Sequence, residues 1–443
     1  MKRALIVVLA ALLGAGLAIA AFDVAAQTTS VVEGRRADLA VFRAQFLNAD
    51  KSYAAPARAE AERRLAALEQ NAPSLSNAAF ELEVAAIVAL ADNGHTAAFA
   101  TSRAERYNRI DIRLAPFETD FYVLKASEAN ADLLGARLIA IDGRPVAQLR
   151  TLAHALTGGV TSWRDRYAPL LFESPEQLHA LGAVRSAGGA SYRFRLANGR
   201  MLTRTLQARA PEEGAASASR VLYPEAQEGW RSLLAPEQAP WALRDPDAPF
   251  RMREAAEIDA FVIEMRQNHN SRAAPIDEFM MDALLAARDS GRRNLVLDLR
   301  MNGGGDLNIT RAWVRRLPRV VPGRVFVLTS PWTFSAAIST TGYLKQSAPD
   351  RVTIVGEGVG DRLNFFSEGD IITLPNSGIE VLNATERHDY VTGCEGFADC
   401  HGSVVRNPIR VANLDPEIAA PWTIEAYRAG RDPAMEAVAA ALR

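Results

Sequence analysis

The C-terminal half of this sequence predicts an α/β protein with a largely parallel sheet, on three observations. Short apolar runs rich in Val, Ile, Leu and Phe recur at 261–265, 294–299, 325–328 and 352–355, each of strand length rather than helix length. Segments with helix-forming composition separate them at 276–287, 308–316 and 333–346. Glycine- and proline-containing turns mark the joins. Strand and helix alternating in this way build βαβ units around a buried sheet.

The chain as a whole has an ordinary globular composition. Its 443 residues are 49% hydrophobic and 23% charged, with a formal net charge of -2, which excludes a wholly disordered or collagen-like chain. Roughly 100–200 residues per domain predicts two to four domains. A nucleic-acid partner is not expected, because its footprint would be a basic surplus or stripe. Basic charge is almost all arginine; the only lysines are Lys2, Lys51, Lys125 and Lys345.

Taken in order, Met1-Lys2-Arg3, an apolar run to about Ala21 and the small residues Val24-Ala25-Ala26 predict a secretory leader over 1–26. The apolar run nearly spans a bilayer, so the alternative is an uncleaved anchor that keeps the chain near a membrane. Export is the expectation, to the periplasm in a Gram-negative host. A helical region is expected over 30–105. Helices are predicted at 56–70 from strong helix formers, with Leu65 and Leu68 on one face, and at 76–91, opened by the Ser76/Asn77 capping signal. The second stops at Asp92-Asn93-Gly94, with His95 and Thr96 directly after.

From 106 to 210 the texture is β. Strands are predicted at 121–124, 136–141, 191–196 and 201–206, the last two flanking Asn198-Gly199, a strong hairpin signal. A helix is predicted at 148–156. Residues 211–250, rich in Pro, Ala and acidic side chains without period, read as a linker to the core at 251–443. Within that core Cys394 and Cys400 lie six apart in a glycine-rich loop. In an oxidising compartment one local disulfide is the simplest expectation. The alternative is a two-thiolate metal site completed by His388 and His401.

Two turns of the core carry chemistry. Asp298-Leu299-Arg300-Met301-Asn302-Gly303-Gly304-Gly305-Asp306 follows a central strand, and its glycines can bring backbone amides close to a ligand. Walker and dinucleotide spacings are absent, so a phosphate loop is disfavoured. The next strand ends in Thr333-Phe334-Ser335-Ala336, where small residues open a helix. A serine at a helix mouth is usually a cap; here the Ala336 amide and the positive helix end also suit an oxyanion.

The glycine loop followed by Thr333-Phe334-Ser335-Ala336 resembles the tail-specific, or C-terminal processing, serine peptidase family. Val355-Gly356-Glu357, Asn413-Leu414-Asp415-Pro416-Glu417-Ile418 and Gly430-Arg431-Asp432-Pro433 follow in the family's order. Asp92-Asn93-Gly94-His95-Thr96 is similar to its Asp-Gly-His-Thr turn with one residue inserted. Residues 135–146 look like its PDZ-type module. The resemblance implies a crotonase-like α/β core of parallel sheet and helices, an N-terminal helical region and a PDZ-like β-rich module. It also implies peptide or protein substrates recognised near a free C-terminus. Ser335 would be the nucleophile, with the amides of Gly304 and Ala336 as oxyanion hole, and no metal or organic cofactor is required.

One branch of the family activates its serine with a lysine just after the Gly-Glu segment. The nearest position here is Arg362, which cannot lose its proton, and Lys345 lies ten residues after Ser335 on the same helix. The other branch resembles the tricorn core protease and uses a histidine, here His95, whose ordinary pKa suits a general base. His388 is the rival, with Glu386 and Asp389 as candidate acidic partners; His95 ranks ahead, and the acid stays unassigned. A catalytically inactive relative that binds peptides or apolar ligands is the second reading. An anchored structural envelope protein is the third.

Overall fold

The structure is a computed structural model and describes residues 31–210, 219–270 and 275–443. The expected leader at 1–26 lies outside them. Among the described residues no helix is long and apolar enough to cross a membrane.

The described N-terminal residues are largely helical. Helical backbone at 31–41 widens into a π-helical stretch, Phe42–Leu47, and is followed by α1 (Ala55–Asn71) and α2 (Asn77–Ala89). Ser76 caps α2, its Oγ accepting from the Ala79 N–H at 3.1 Å. Leu65 and Leu68 are buried together, as their spacing requires.

The β-rich region holds β1 (Ile112–Phe117), β2 (Asp120–Ser127), β3 (Arg137–Ile141), α3 (Val146–His154), α4 (Thr161–Phe172), β4 (Gly189–Arg195) and β5 (Met201–Arg209). The strands form an antiparallel sheet in the order β5-β4-β3-β2-β1. Arg195 pairs with Met201 across the Asn198-Gly199 turn. Phe42, Phe80, Val123, Leu138 and Phe194 belong to one apolar cluster. The helical and β-rich regions thus share a core.

The stretch 211–250 departs from the linker expectation wherever it is described. Trp230–Ser232 pairs with β2, and Tyr223, Leu234 and Leu243 bury against Phe117, Leu124 and Tyr427. Their irregular spacing hides the burial, because short 3-10 turns have no long period to read.

The core follows with β6 (Phe250–Ala255), β7 (Ala260–Met265), α5 (Ile276–Asp289), β8 (Asn294–Asp298), α6 (Leu307–Val314), β9 (Val325–Thr329), α7 (Ala336–Ser347) and β10 (Val352–Gly356). After them come β11 (Asn364–Ser367), β12 (Glu386–Asp389), β13 (Ile418–Ala419) and α8 (Pro433–Ala441). The main sheet runs β6-β7-β8-β9-β10-β13, parallel from β7 onward, with β6 antiparallel at the edge. Ile263, Leu297 and Val327 face a core that includes Ala283, Val314 and Ile338. Val262, Val296 and Phe326 face the opposite way, with Ala434 and Val438 of α8. Both faces are covered, so the strands read as unbroken apolar runs. A separate antiparallel pair, β11 with β12, sets Phe365 opposite His388.

Candidate active site

Ser335 stands immediately before α7 with φ 55° and ψ -124°, a strained conformation for a residue with a side chain. Its hydroxyl makes no capping bond. The helix predicted at 333–346 begins at Ala336, which leaves Ser335 at its mouth. Buried polar contacts hold this corner. Thr333 Oγ1 donates to Leu299 O at 2.9 Å, and the Phe334 N–H donates to Asn302 O at 3.0 Å. The glycine loop therefore lies directly against the serine corner. A Cβ at Gly304 (φ 100°) would come within 2.5 Å of Ser335 Cβ and 3.0 Å of Ala336 N, so only glycine fits.

The two amides expected to serve as oxyanion donors differ in what they bond. Ala336 N opens α7, where a helix leaves its first N–H groups without an intrahelical acceptor. The Gly304 N–H, by contrast, is already donated to Asn302 Oδ1 at 2.9 Å. Asn302 Nδ2 donates to Asn268 Oδ1 at 2.8 Å, and Asn268 Nδ2 donates to Ala336 O at 3.1 Å and Thr340 Oγ1 at 2.8 Å. These two buried asparagines lock loop and helix together. Sequence reasoning passed over both, although Asn302 sits inside the glycine loop.

His95 arrives from the end of α2. The Asn93 side chain grips β11, donating from Nδ2 to Phe366 O at 2.9 Å and accepting at Oδ1 from the Phe366 N–H at 3.0 Å. This brings His95 Nδ1 to 3.2 Å from Asp361 Oδ2, both side chains buried. A Cβ at Gly94 would lie 2.6 Å from that same oxygen. The imidazole is sandwiched between Phe334 (4.2 Å between centroids) and Phe365 (4.7 Å). Phe334 is the residue next to Ser335. His95 Nε2 is buried and makes no hydrogen bond, so it is not bonded to the serine hydroxyl in this state. Hydrogen bonds of this kind are often open without substrate.

His388 does not join this group. It stacks on the far side of Phe365 at 5.1 Å, Nδ1 lies 3.0 Å from Tyr390 OH, and burial pulls its imidazole below the ordinary histidine value. Its two candidate acids are engaged elsewhere. Glu386 Oε2 lies 2.7 Å from His401 Nδ1, and Asp389 accepts from the Val391 and Thr392 amides. The rival base is therefore set apart from His95 by the Phe365 ring. Asp361, missed in the sequence, holds the acidic place beside His95. It directly precedes Arg362, whose guanidinium donates to Asp92 O. Lys345 Nζ donates to Val352 O at 2.7 Å, near the C-terminal end of α7. The Cys394 and Cys400 sulfurs are bonded to each other, which removes the thiolate ligands of the alternative metal site.

A cavity of about 280 Å³ opens at His95, Gly303, Phe334 and Trp163. A second, of about 470 Å³, is lined by Met301, Trp332, Glu357 and Trp422. Arg166 of α4 borders both. Its guanidinium stacks over Trp332 at 3.5 Å and Trp163 at 4.4 Å, yet buried Nε and one terminal nitrogen have no hydrogen-bond partner. Burial pulls that guanidinium down to about 10, still charged at neutral pH. Burial also pushes the Glu357 carboxyl up.

No family model and no curated protein matches the chain. Solved structures do. Mature CPAF complexed with lactacystin aligns at 14% identity over 93% of this chain and 98% of that one, with a TM-score of 0.59. Mature CPAF alone gives the same score over 93% and 97%. A photosystem II D1 C-terminal processing protease aligns at 15% identity over 92% and 98%, but its TM-score of 0.32 carries no argument. Across nearly its whole length the chain has the fold of CPAF.

Proposed function

We propose that this chain is an exported serine peptidase of the tail-specific, C-terminal processing family, in the tricorn-like branch that replaces the lysine by a histidine. It hydrolyses peptide bonds of protein or peptide substrates. The observation that carries the reading is the His95–Asp361 pair, 266 residues apart in sequence, stacked against the neighbour of a strained serine. Ser335 Oγ attacks the carbonyl carbon and His95 Nε2 accepts its proton. Asp361 holds Nδ1–H and stabilises the imidazolium, which then protonates the leaving amine. The Ala336 N–H is one oxyanion donor. The Gly304 N–H becomes the second when Asn302 Oδ1 releases it, a backbone adjustment that glycine permits.

The reading includes a crotonase-like core and a PDZ-like module at 106–210 whose edge pairs with an extended peptide. Recognition near the substrate C-terminus is supported by Arg166, because an unpaired buried guanidinium between two cavities suits a carboxylate. Fluorophosphonate labelling tests the nucleophile: Ser335→Ala should abolish it while leaving the fold intact, and equal labelling of mutant and wild type rejects the assignment. Mass spectrometry of the mature N-terminus tests export, with Gln27 the expected first residue.

A second reading, an inactive relative that binds peptides, is favoured by the engaged Gly304 N–H and the unbonded His95 Nε2. Cleavage of an unfolded substrate by wild type, lost in His95→Ala, rejects it. A wild-type protein that binds such substrates without cleaving them rejects the peptidase.

A further inference from the structure

Behind Phe365, away from the proposed nucleophile, a second cluster meets at the open end of the β11–β12 pair. Glu368 follows β11, His388 lies within β12, and His401 is held beside β12 by its N–H donating to Arg387 O at 2.9 Å. One ligand atom from each of the three lies within 4.8 Å of the others.

The orientation of the rings matters more than their proximity. His388 Nδ1 is engaged by Tyr390 OH at 3.0 Å, which turns Nε2 inward. That nitrogen lies 3.2 Å from Glu368 Oε1, an ion-pair contact without the alignment of a hydrogen bond, on a side chain only 3% exposed. A buried imidazole nitrogen so poorly matched is costly in water-free surroundings unless something takes its lone pair. His401 Nδ1 is tied to Glu386 Oε2 at 2.7 Å, which leaves its Nε2 as the free donor. A carboxylate or hydroxyl on the outer nitrogen of each ring is the outer-shell pattern of histidine ligands in metal sites.

We propose that Glu368, His388 and His401 form a binding site for a zinc-class divalent ion, with two imidazole nitrogens and one carboxylate as ligands. Two nitrogens and an oxygen suit zinc, with water completing the tetrahedron. The rings of His388 and His401 now lie nearly parallel, 5.2 Å apart, so His401, the more exposed of the two, tips toward the ion on binding. The ion would join β11, β12 and the disulfide loop into one unit behind Phe365. It takes no part in the proposed hydrolysis, and its test does not depend on the serine.

The test uses the whole disulfide-intact chain, stripped with chelator and titrated with Co²⁺ alone. The expected result is saturable binding of one ion per chain, with the visible absorption of four-coordinate cobalt and displacement by Zn²⁺. The spectrum should lack a thiolate-to-cobalt charge-transfer band, because both cysteines are bonded. His401→Gln and Glu368→Gln lie at the accessible rim and should each weaken binding by at least about 10-fold, while Ser335→Ala leaves it unchanged. No saturable binding, or binding untouched by both rim variants, overturns the site.

Discussion

Asp361 meets a side chain 266 positions upstream in sequence. In the proposed mechanism its carboxylate accepts from Nδ1–H of His95 and leaves Nε2 to act as base. Asp361→Asn keeps the shape but offers an amide that can hold the wrong tautomer. By comparison with triad aspartates, kcat should fall by roughly 10³–10⁴-fold with KM little changed; steady-state kinetics on a peptide substrate measures this, and an unaltered kcat removes Asp361 from the mechanism. Ser335 and His95 were legible in sequence because each sits in a local pattern, a helix mouth beside glycines and a Gly-His turn. Asp361 has no such pattern. An aspartate in a glycine-rich turn reads as punctuation until the fold shows what lies across from it.

At the scale of elements, the residue inserted into the Asp-Gly-His-Thr turn has a use. Asn93 pairs its amide with both backbone groups of Phe366, so the turn carrying His95 is fastened to β11, which carries Phe365. Asn93→Ala leaves that N–H and carbonyl without these partners. The expected cost is about 1–3 kcal/mol of stability, read from denaturant midpoints, with kcat falling more than KM rises. A mutant whose stability and kcat match wild type shows that the turn needs no fastening. The central strands and their helices were legible because both faces of the sheet are buried. The contacts of 219–250 were not, since burial there comes from scattered single residues instead of a periodic face.

The whole molecule is tied by charge as well as by packing. Arg300, at the end of β8, binds Asp298 Oδ2 at 2.7 Å and reaches Asp432 Oδ1 at 2.7 Å, the cap of α8. Burial opposes the charge on Arg300, but the two carboxylates prevail and hold its guanidinium well above the ordinary value. Arg300→Met strands two carboxylates, and destabilisation by about 3–5 kcal/mol is expected. Urea unfolding measures it, and a loss below about 1 kcal/mol shows the pair to be peripheral. The sequence showed Asp298 and Asp432 as separate motifs, and only the chain path joins them. It also showed helical and β-rich regions as two units, where packing makes one core.

The rings of Trp163, Phe334, His95, Phe365, His388 and His401 form a continuous pile, successive centroids 3.7, 4.2, 4.7, 5.1 and 5.2 Å apart. A disc pressed between two others can slide or spin about its own normal, but it cannot somersault. The His95 imidazole therefore cannot exchange its two nitrogens by flipping over while its neighbours stay in place. Any proton it gains or loses passes at the rim of the ring, either at Nδ1 beside Asp361 or at the buried Nε2.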